Sequence, residues 1–178
     1  ILFIWKKKIS LNLKNEFYSI WKNHYNSLEF NFKNFIHKDF NLNNLIYLPE
    51  KNKQYKCGII DFQDSFWGED CWDLFSLLED SRIFFSDKYN DELIEYYLKK
   101  TFQKKTIESF YNKYHFFNSS RQVRLLGRWV KLNKNYNNKF YLNFIDITNN
   151  RLKKSLSNPN MYHLKLLFNK LMPDIYAI

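Results

Sequence analysis

The chain has 178 residues, of which 45% are apolar and 20% aromatic. That is enough to bury a sizeable core in one domain of ordinary size, and it excludes a disordered tail. The formal charge of +10 would suit a nucleic acid or an anionic membrane, but no basic run exceeds three residues and no recognition module is visible. We therefore interpret the excess of lysine as charge on solvated faces, and we predict no nucleic-acid and no membrane partner.

The predicted elements are mostly helices, because only three glycines and three prolines occur and a turn-dense β architecture needs more. In chain order, we predict a helix over 14–28, short strands at 35–36, 45–48 and 57–60, helices over 70–82, 86–102 and 106–114, a break at 115–120, a helix over 121–132, a polar loop at 133–140, and helices near 148–157 and 160–171. The predicted fold class is α+β, mostly α, with a small β element that carries the loops of interest.

The two cysteines, Cys57 and Cys71, are too few and too far apart for a zinc site or a redox pair. We expect both to be small buried residues in a reducing cytoplasm. No apolar run reaches the roughly 20 residues that a membrane helix needs, and we find no secretory signal at the start of the chain. A cytoplasmic location is the resulting prediction.

Polar residues that suit a metal and a phosphate ester follow the three predicted strands. Asp39 and Asn44 lie between the first and second strands, and Asp61 comes directly after the third. This order predicts two carboxylates and a carboxamide at the same ends of adjacent strands. Magnesium prefers such oxygen ligands, and the phosphates of a bound nucleotide complete its coordination.

The spacing H-x-D-x-x-x-x-N at 37–44, followed by D-F at 61–62, resembles the catalytic signature of protein kinases. Lys38 stands where that signature has arginine, and Gln63 where it has glycine. These departures point to the superfamily of aminoglycoside phosphotransferases and choline kinases. Within it, the chain resembles the predicted phosphotransferases that include the anomeric N-acetylmuramate/N-acetylglucosamine kinases. That likeness continues through 121–142 and through Gly68, Asp73, Leu74, Ser76, Leu77, Leu78, Asp80 and Arg82.

The resemblance implies the C-terminal, larger lobe of a protein-kinase-like fold, as a single domain over 1–178. Residues 1–13 would join the lobes or end a helix. We expect the chain to be a fragment, with the N-terminal nucleotide-clasping lobe of the same polypeptide lying outside it. The implied activity is transfer of the γ-phosphoryl group of ATP, with Mg²⁺, to a hydroxyl of an amino sugar in cell-wall recycling.

The resemblance also assigns roles to individual residues. Asp39 would be the catalytic base, and Asn44 and Asp61 would bind Mg²⁺. His37 and Asp73 would support the catalytic loop without taking part in the chemistry.

Three further residues are candidates for acceptor binding, each with an ordinary structural alternative. Asp64 would bind a sugar hydroxyl, help to position the metal, or be a solvated loop carboxylate. Trp67 would stack on a sugar or lie in the core. Arg82 would reach an anionic group of the substrate or pair with Asp80 or Glu79.

Arginines at 121, 124 and 128 share one face of a predicted helix. Ion pairing between helices is the default interpretation, and a patch for a substrate anion is the alternative.

Two other functions stay open at this point. One is the same transfer to an aminoglycoside or a choline-like alcohol, although a cationic acceptor would want an acidic surface that this basic chain lacks. The other is a binding domain of the pseudokinase type, which Asp39, Asn44 and Asp61 argue against. The isolated chain would be inactive if it lacks the nucleotide-clasping lobe.

Overall fold

The computed structural model describes residues 10–83, 85–101 and 107–173. In this part of the chain the helices are α1 (Leu11–Asn26), α2 (Trp72–Leu78), α3 (Asp87–Thr101), α4 (Ile107–Tyr136), α5 (Ile145–Leu156) and α6 (Tyr162–Leu171), and the strands are β1 (Asn34–Ile36), β2 (Leu45–Tyr47), β3 (Cys57–Ile59) and β4 (Phe66–Gly68). Helices dominate and the strands are short, so the predicted mostly helical α+β class is confirmed at this level.

The chain divides into two compact units. The β-containing unit is Phe30–Ile107, and the helical unit combines Ile1–Glu29 with Glu108–Ile178. The predicted segment 1–13 lies mainly outside the described residues, and 11–13 form the first turn of α1. The assignment of 1–178 to one kinase lobe stays a prediction.

The β-containing unit holds two separate antiparallel ribbons. β1 pairs with β4, and β2 pairs with β3. The sequence analysis missed β4 and placed β1 next to the other predicted strands. Gly68 explains part of the actual pairing: a Cβ at this position would lie 2.7 Å from the ring of Phe66 and 3.0 Å from Ile36. Glycine therefore lets β4 lie close against β1.

The helical unit is built around an apolar core that α1, α4, α5 and α6 share. Its buried members are Phe116, Leu126, Leu152, Leu156, Met161, Leu164, Leu167, Phe168 and Met172. The Ser10 hydroxyl begins α1 by accepting a hydrogen bond from the N–H of Leu13. An ion pair between Glu16 and Lys170 joins α1 to α6.

Helix α4 is continuous over 107–136, so the predicted break at 115–120 is wrong. Asn and Ser side chains in that stretch favour a break because they compete for backbone hydrogen bonds. Here Asn118 instead donates to the Ser155 hydroxyl at 2.9 Å and accepts from Gln122 at 2.8 Å. Phe116 enters the core beside these polar contacts. Packing against α5 therefore overrides the local preference.

Only one cysteine matches the expected burial. Cys71 is fully buried, whereas Cys57 at the start of β3 is exposed, which corrects the prediction for that residue. Cys57 and Ile59 lie on the same face of β3 and both are exposed, so this face of the ribbon is open to solvent.

None of the helices in the described ranges is long and apolar enough to cross a membrane.

Candidate active site

The loop between β1 and β2 carries Asp39, whose side chain is exposed. Lys38, directly before it, has φ 77°, a left-handed conformation that is uncommon outside glycine. The side chain of Asn41, only 3% exposed, donates to the backbone carbonyl of Asp39 at 2.9 Å and accepts from the N–H of Asn43 at 3.0 Å. These contacts fix the backbone that presents the Asp39 carboxylate.

Asn44 connects the two acidic residues of the site. Its amide nitrogen donates to the backbone carbonyl of Asp39 at 2.9 Å and lies 3.4 Å from a carboxylate oxygen of Asp61. Because a backbone carbonyl only accepts hydrogen bonds, the amide nitrogen must face it. The amide oxygen of Asn44 has no hydrogen-bond partner in the described part of the chain, and it is the atom that suits a cation.

Asp61 follows the end of β3 in a left-handed conformation, with φ 66°. The backbone N–H of Ile60 donates to the carbonyl of Asn44 at 3.0 Å, which ties the end of β3 to the start of β2. Gln63 donates its side-chain amide to the second carboxylate oxygen of Asp61 at 2.7 Å. The glutamine that replaces the glycine of the kinase signature therefore orients the Asp61 carboxylate.

The residues present fit a magnesium ion that arrives with a nucleotide. Among the described residues, no group of three histidines, cysteines or acids is placed to hold a metal alone. Magnesium in nucleotide sites is usually held by only one or two protein carboxylates, because phosphates and waters supply its other ligands. Asp61 and the amide oxygen of Asn44 meet that smaller requirement.

His37 and Asp73 lie beneath the loop. The His37 ring is buried, and its Nε2 donates to the backbone carbonyl of Ile60 at 2.8 Å. The Asp73 carboxylate, in the first turn of α2, accepts from the backbone N–H groups of His37 at 2.8 Å and Lys38 at 3.1 Å. Burial raises the pKa of Asp73, and these two N–H donors oppose the rise. The contacts are those of loop support, which stays the role that we predict for both residues.

Replacing Asp73 by Asn is expected to weaken this support. One amide oxygen accepts from one of the two N–H groups, and the side-chain NH₂ then faces the other donor. We expect the free energy of unfolding to fall by about 1–3 kcal/mol, the cost of a buried donor left without an acceptor. We also expect kcat to fall while the KM for ATP changes little, because the loop holds the base.

Urea unfolding and steady-state kinetics on the complete polypeptide measure both effects of Asp73→Asn. Glu50→Gln, in the exposed turn between β2 and β3, is the matched control and should change neither quantity. A variant Asp73→Asn with normal kcat would show that the loop does not depend on this carboxylate.

Two candidates for acceptor binding lie on the surface. Asp64 is exposed and forms an ion pair with Lys38 at 3.5 Å. Trp67 is 67% exposed, and its ring lies edge-to-face with that of Phe35, with ring centroids 6.4 Å apart. The core alternative for Trp67 is therefore wrong. No hydrogen bond in the described ranges links either residue to Asp39.

Arg82 forms a two-point ion pair with Asp80, in which Nε donates at 2.9 Å and Nη2 at 2.5 Å. This hydrogen bonding raises the pKa of Arg82, and the charge of the nearby Asp39 adds to the rise. The pairing with Asp80 is the ordinary use that the sequence suggested. The Arg82 guanidinium thus lies within electrostatic range of Asp39.

The structure thus brings Asp39, Asn44 and Asp61 together, with His37 and Asp73 beneath them. Sequence reasoning missed Asn41 and Gln63. Asn41 had a recognisable signal, since Asn directly before a short turn often accepts from the N–H two residues on. Gln63 stood out only as a departure from the kinase pattern.

Comparison with known protein families finds a match over the segment that contains this site. Residues 31–108 match the phosphotransferase enzyme family. The match coincides with the β-containing unit, Phe30–Ile107, which holds every residue of the site described above. This segment is therefore similar to phosphotransferase-family domains, and the resemblance to that superfamily is confirmed.

A curated protein is similar to a longer stretch of the chain. The chain is similar to the N-acetylmuramate/N-acetylglucosamine kinase of Caulobacter vibrioides, with 29% identity over 139 residues. The aligned part covers 78% of this chain but only 38% of the relative. The chain thus spans less than two fifths of the relative's length.

Proposed function

We propose that the protein is an ATP- and Mg²⁺-dependent small-molecule kinase that phosphorylates a hydroxyl group, with an amino sugar as acceptor. The observation that carries the proposal is the position of Asn44, whose amide contacts both the backbone of Asp39 and the carboxylate of Asp61. One residue thereby sets the geometry between the proposed base and the proposed metal ligand. In this proposal the chain supplies the larger lobe of a kinase-like fold in the cytoplasm.

Asp39 is the proposed base. Its exposed carboxylate would hold the acceptor hydroxyl and take its proton as the bond to the γ-phosphorus forms and the bond to the leaving ADP oxygen breaks. The buried His37 would take no part in proton transfer, because its Nε2 is engaged with the carbonyl of Ile60. Catalysis would rest on positioning and charge rather than on a covalent intermediate.

Asp61 and Asn44 would hold the magnesium ion on the ATP phosphates. When bound, the ion neutralises phosphate charge and orients the γ-phosphoryl group. Gln63 supports the binding because its hydrogen bond orients the Asp61 carboxylate, whose oxygens keep further lone pairs for a cation.

The choice of an amino sugar rests on the relative's name and on charge. The relative is named for N-acetylmuramate and N-acetylglucosamine. A polycationic aminoglycoside would need an acidic surface, whereas this chain carries a formal charge of +10.

An acceptor panel tests the proposal on the complete polypeptide. With γ-labelled ATP and Mg²⁺, we expect label transfer to N-acetylmuramate and N-acetylglucosamine, and none to choline or to an aminoglycoside. EDTA should abolish the transfer. Transfer only to choline or the aminoglycoside would overturn the choice of acceptor, and transfer to no acceptor would favour a binding domain without catalytic activity.

A further inference from the structure

The net positive charge of the chain is concentrated in one segment, because acidic residues are absent from it. Residues 109–145 contain seven cations and no Asp or Glu. The cations are Lys113, Arg121, Arg124, Arg128, Lys131, Lys134 and Lys139. Most of this segment is α4, so from residue 109 onward the Lys, Arg, Asp and Glu positions of this helix are all basic.

Three of these cations line a groove along the C-terminal half of α4. Arg124, Arg128 and Lys131 are exposed, and they surround an open volume of about 500 Å³ together with Gly127 and Tyr136. None of the three side chains has a hydrogen bond or ion pair with another described residue. The default interpretation of the arginine face, ion pairing between helices, therefore does not hold for Arg124 and Arg128.

Gly127 is the floor of this groove. Glycine inside a helix destabilises it relative to alanine, and packing often explains why glycine is present. Here a Cβ would meet no described atom within 4 Å, so no packing contact requires glycine. Its effect is to leave the helix backbone open between the two arginines.

Arg124 and Arg128 are spaced i, i+4, which brings like charges together and destabilises an isolated helix. An anion in the groove would remove this repulsion and would use the opening at Gly127. Guanidinium groups bind phosphate oxygens through two parallel hydrogen bonds, and a lysine adds a third positive charge. The three cations and the open helix backbone at Gly127 thus suit the same kind of ligand, an anion with phosphate oxygens.

The size of the groove favours a small ligand over a polymer. Arg124 to Lys131 is seven residues, or about 10 Å along a helix. A volume near 500 Å³ lies within the range of small-molecule sites. A nucleic acid would instead need a longer series of phosphate contacts.

We propose that the groove formed by Arg124, Gly127, Arg128 and Lys131 binds a small phosphate-bearing anion, either a pyrophosphate group or a phosphomonoester. This site is separate in sequence from the phosphotransferase-family segment and does not depend on the proposed kinase activity. Its ligand chemistry is that of a sugar phosphate, a nucleoside diphosphate or free inorganic phosphate.

Calorimetric titration of the complete polypeptide with inorganic pyrophosphate, in a buffer containing EDTA, tests the proposal. We expect one saturable site. The double variant Arg124→Gln/Arg128→Gln should bind about 100-fold more weakly, since each lost charged contact weakens binding about tenfold. Gly127→Ala should raise the midpoint of thermal unfolding and weaken pyrophosphate binding, because the methyl group occupies the floor.

The matched control is Lys14→Gln/Lys22→Gln on α1, which removes the same two charges from exposed positions of the same unit. It should keep the affinity of the parent protein. Equal weakening in the control, or no pyrophosphate binding at all, would overturn the proposal. Tighter binding of a single-stranded oligonucleotide or of anionic vesicles would also overturn it, because a polymer or a membrane would then be the ligand.

Asp61→Asn separates the two proposed sites. It should abolish phosphoryl transfer and leave the metal-free pyrophosphate titration unchanged. Parallel titrations with glucose 1-phosphate, ADP and inorganic phosphate then distinguish the sources of the anion by their relative affinities.

Discussion

The variant Asp39→Asn is expected to lose phosphoryl transfer to its acceptor by about 10²–10⁴-fold in kcat, the usual contribution of a general base. Asparagine keeps the size of the side chain and a hydrogen bond to the acceptor, but it takes up no proton. The contacts that hold the loop use the backbone carbonyl of Asp39 and not its carboxylate. The fold and the KM for ATP should therefore stay close to those of the parent protein.

Initial rates with labelled ATP and N-acetylmuramate measure this loss, and thermal unfolding checks that the fold is intact. Asp91→Asn, on the exposed face of α3, makes the same chemical change away from the loop and should retain activity. Turnover of Asp39→Asn at the parental rate would refute the assignment of the base. A loss of activity together with a lower unfolding temperature would instead give Asp39 a structural role.

The second large effect is a loss of folding stability in acid, and it involves His115 on α4. Burial, together with a smaller effect of the charge of Lys154, lowers the pKa of His115 from 6.5 to about 4. Below pH 6.5 the unfolded chain therefore takes up a proton that the folded chain excludes. Stability present at neutral pH is lost as the pH falls from about 6.5 to about 4, by up to about 3 kcal/mol.

The variant His115→Phe should remove most of this pH dependence. Phenylalanine keeps a ring beside Tyr111 and Tyr114, and it replaces a buried Nδ1 that has no hydrogen-bond partner. We expect unfolding in urea at pH 7 to be unchanged or harder, and the loss between pH 7 and pH 4 to shrink. His163→Phe is the control: that residue is exposed, so most of the acid loss should persist. Equal losses in His115→Phe and the parent protein would contradict the assignment.

The proposed site was predictable because its signal is local. Asp39 and Asn44 lie between two short strands and Asp61 follows a third, and this order, together with the resemblance to the kinase signature, predicted that they lie near one another. The supporting contacts were less accessible from sequence. The hydrogen bond from Gln63 to Asp61 depends on the left-handed backbone at Asp61, and no composition or periodicity signals that conformation.

Elements of the fold could be predicted where their own residues show an apolar pattern typical of a helix or a strand. The apolar stripe of α1 and the strand runs of β2 and β3 are of this kind. β4 has only three residues, and its pairing depends on the close approach at Gly68, so it has no independent pattern. The continuity of α4 depends on Ser155, which lies 37 residues from Asn118 along the chain. Contacts of that separation cannot be inferred from a window of neighbouring residues.

The Asp73 carboxylate accepts hydrogen bonds from two backbone N–H groups of the proposed catalytic loop, and these bonds connect the loop to α2. His37 and Lys38 find their acceptor on a helix that begins 34 residues after Lys38. The loop therefore reaches its full set of hydrogen bonds only when α2 is docked, although Asn41 and Asn44 also hold its backbone. Fraying of the first turn of α2 would remove two of these hydrogen bonds, so order at the site depends in part on the stability of a short helix.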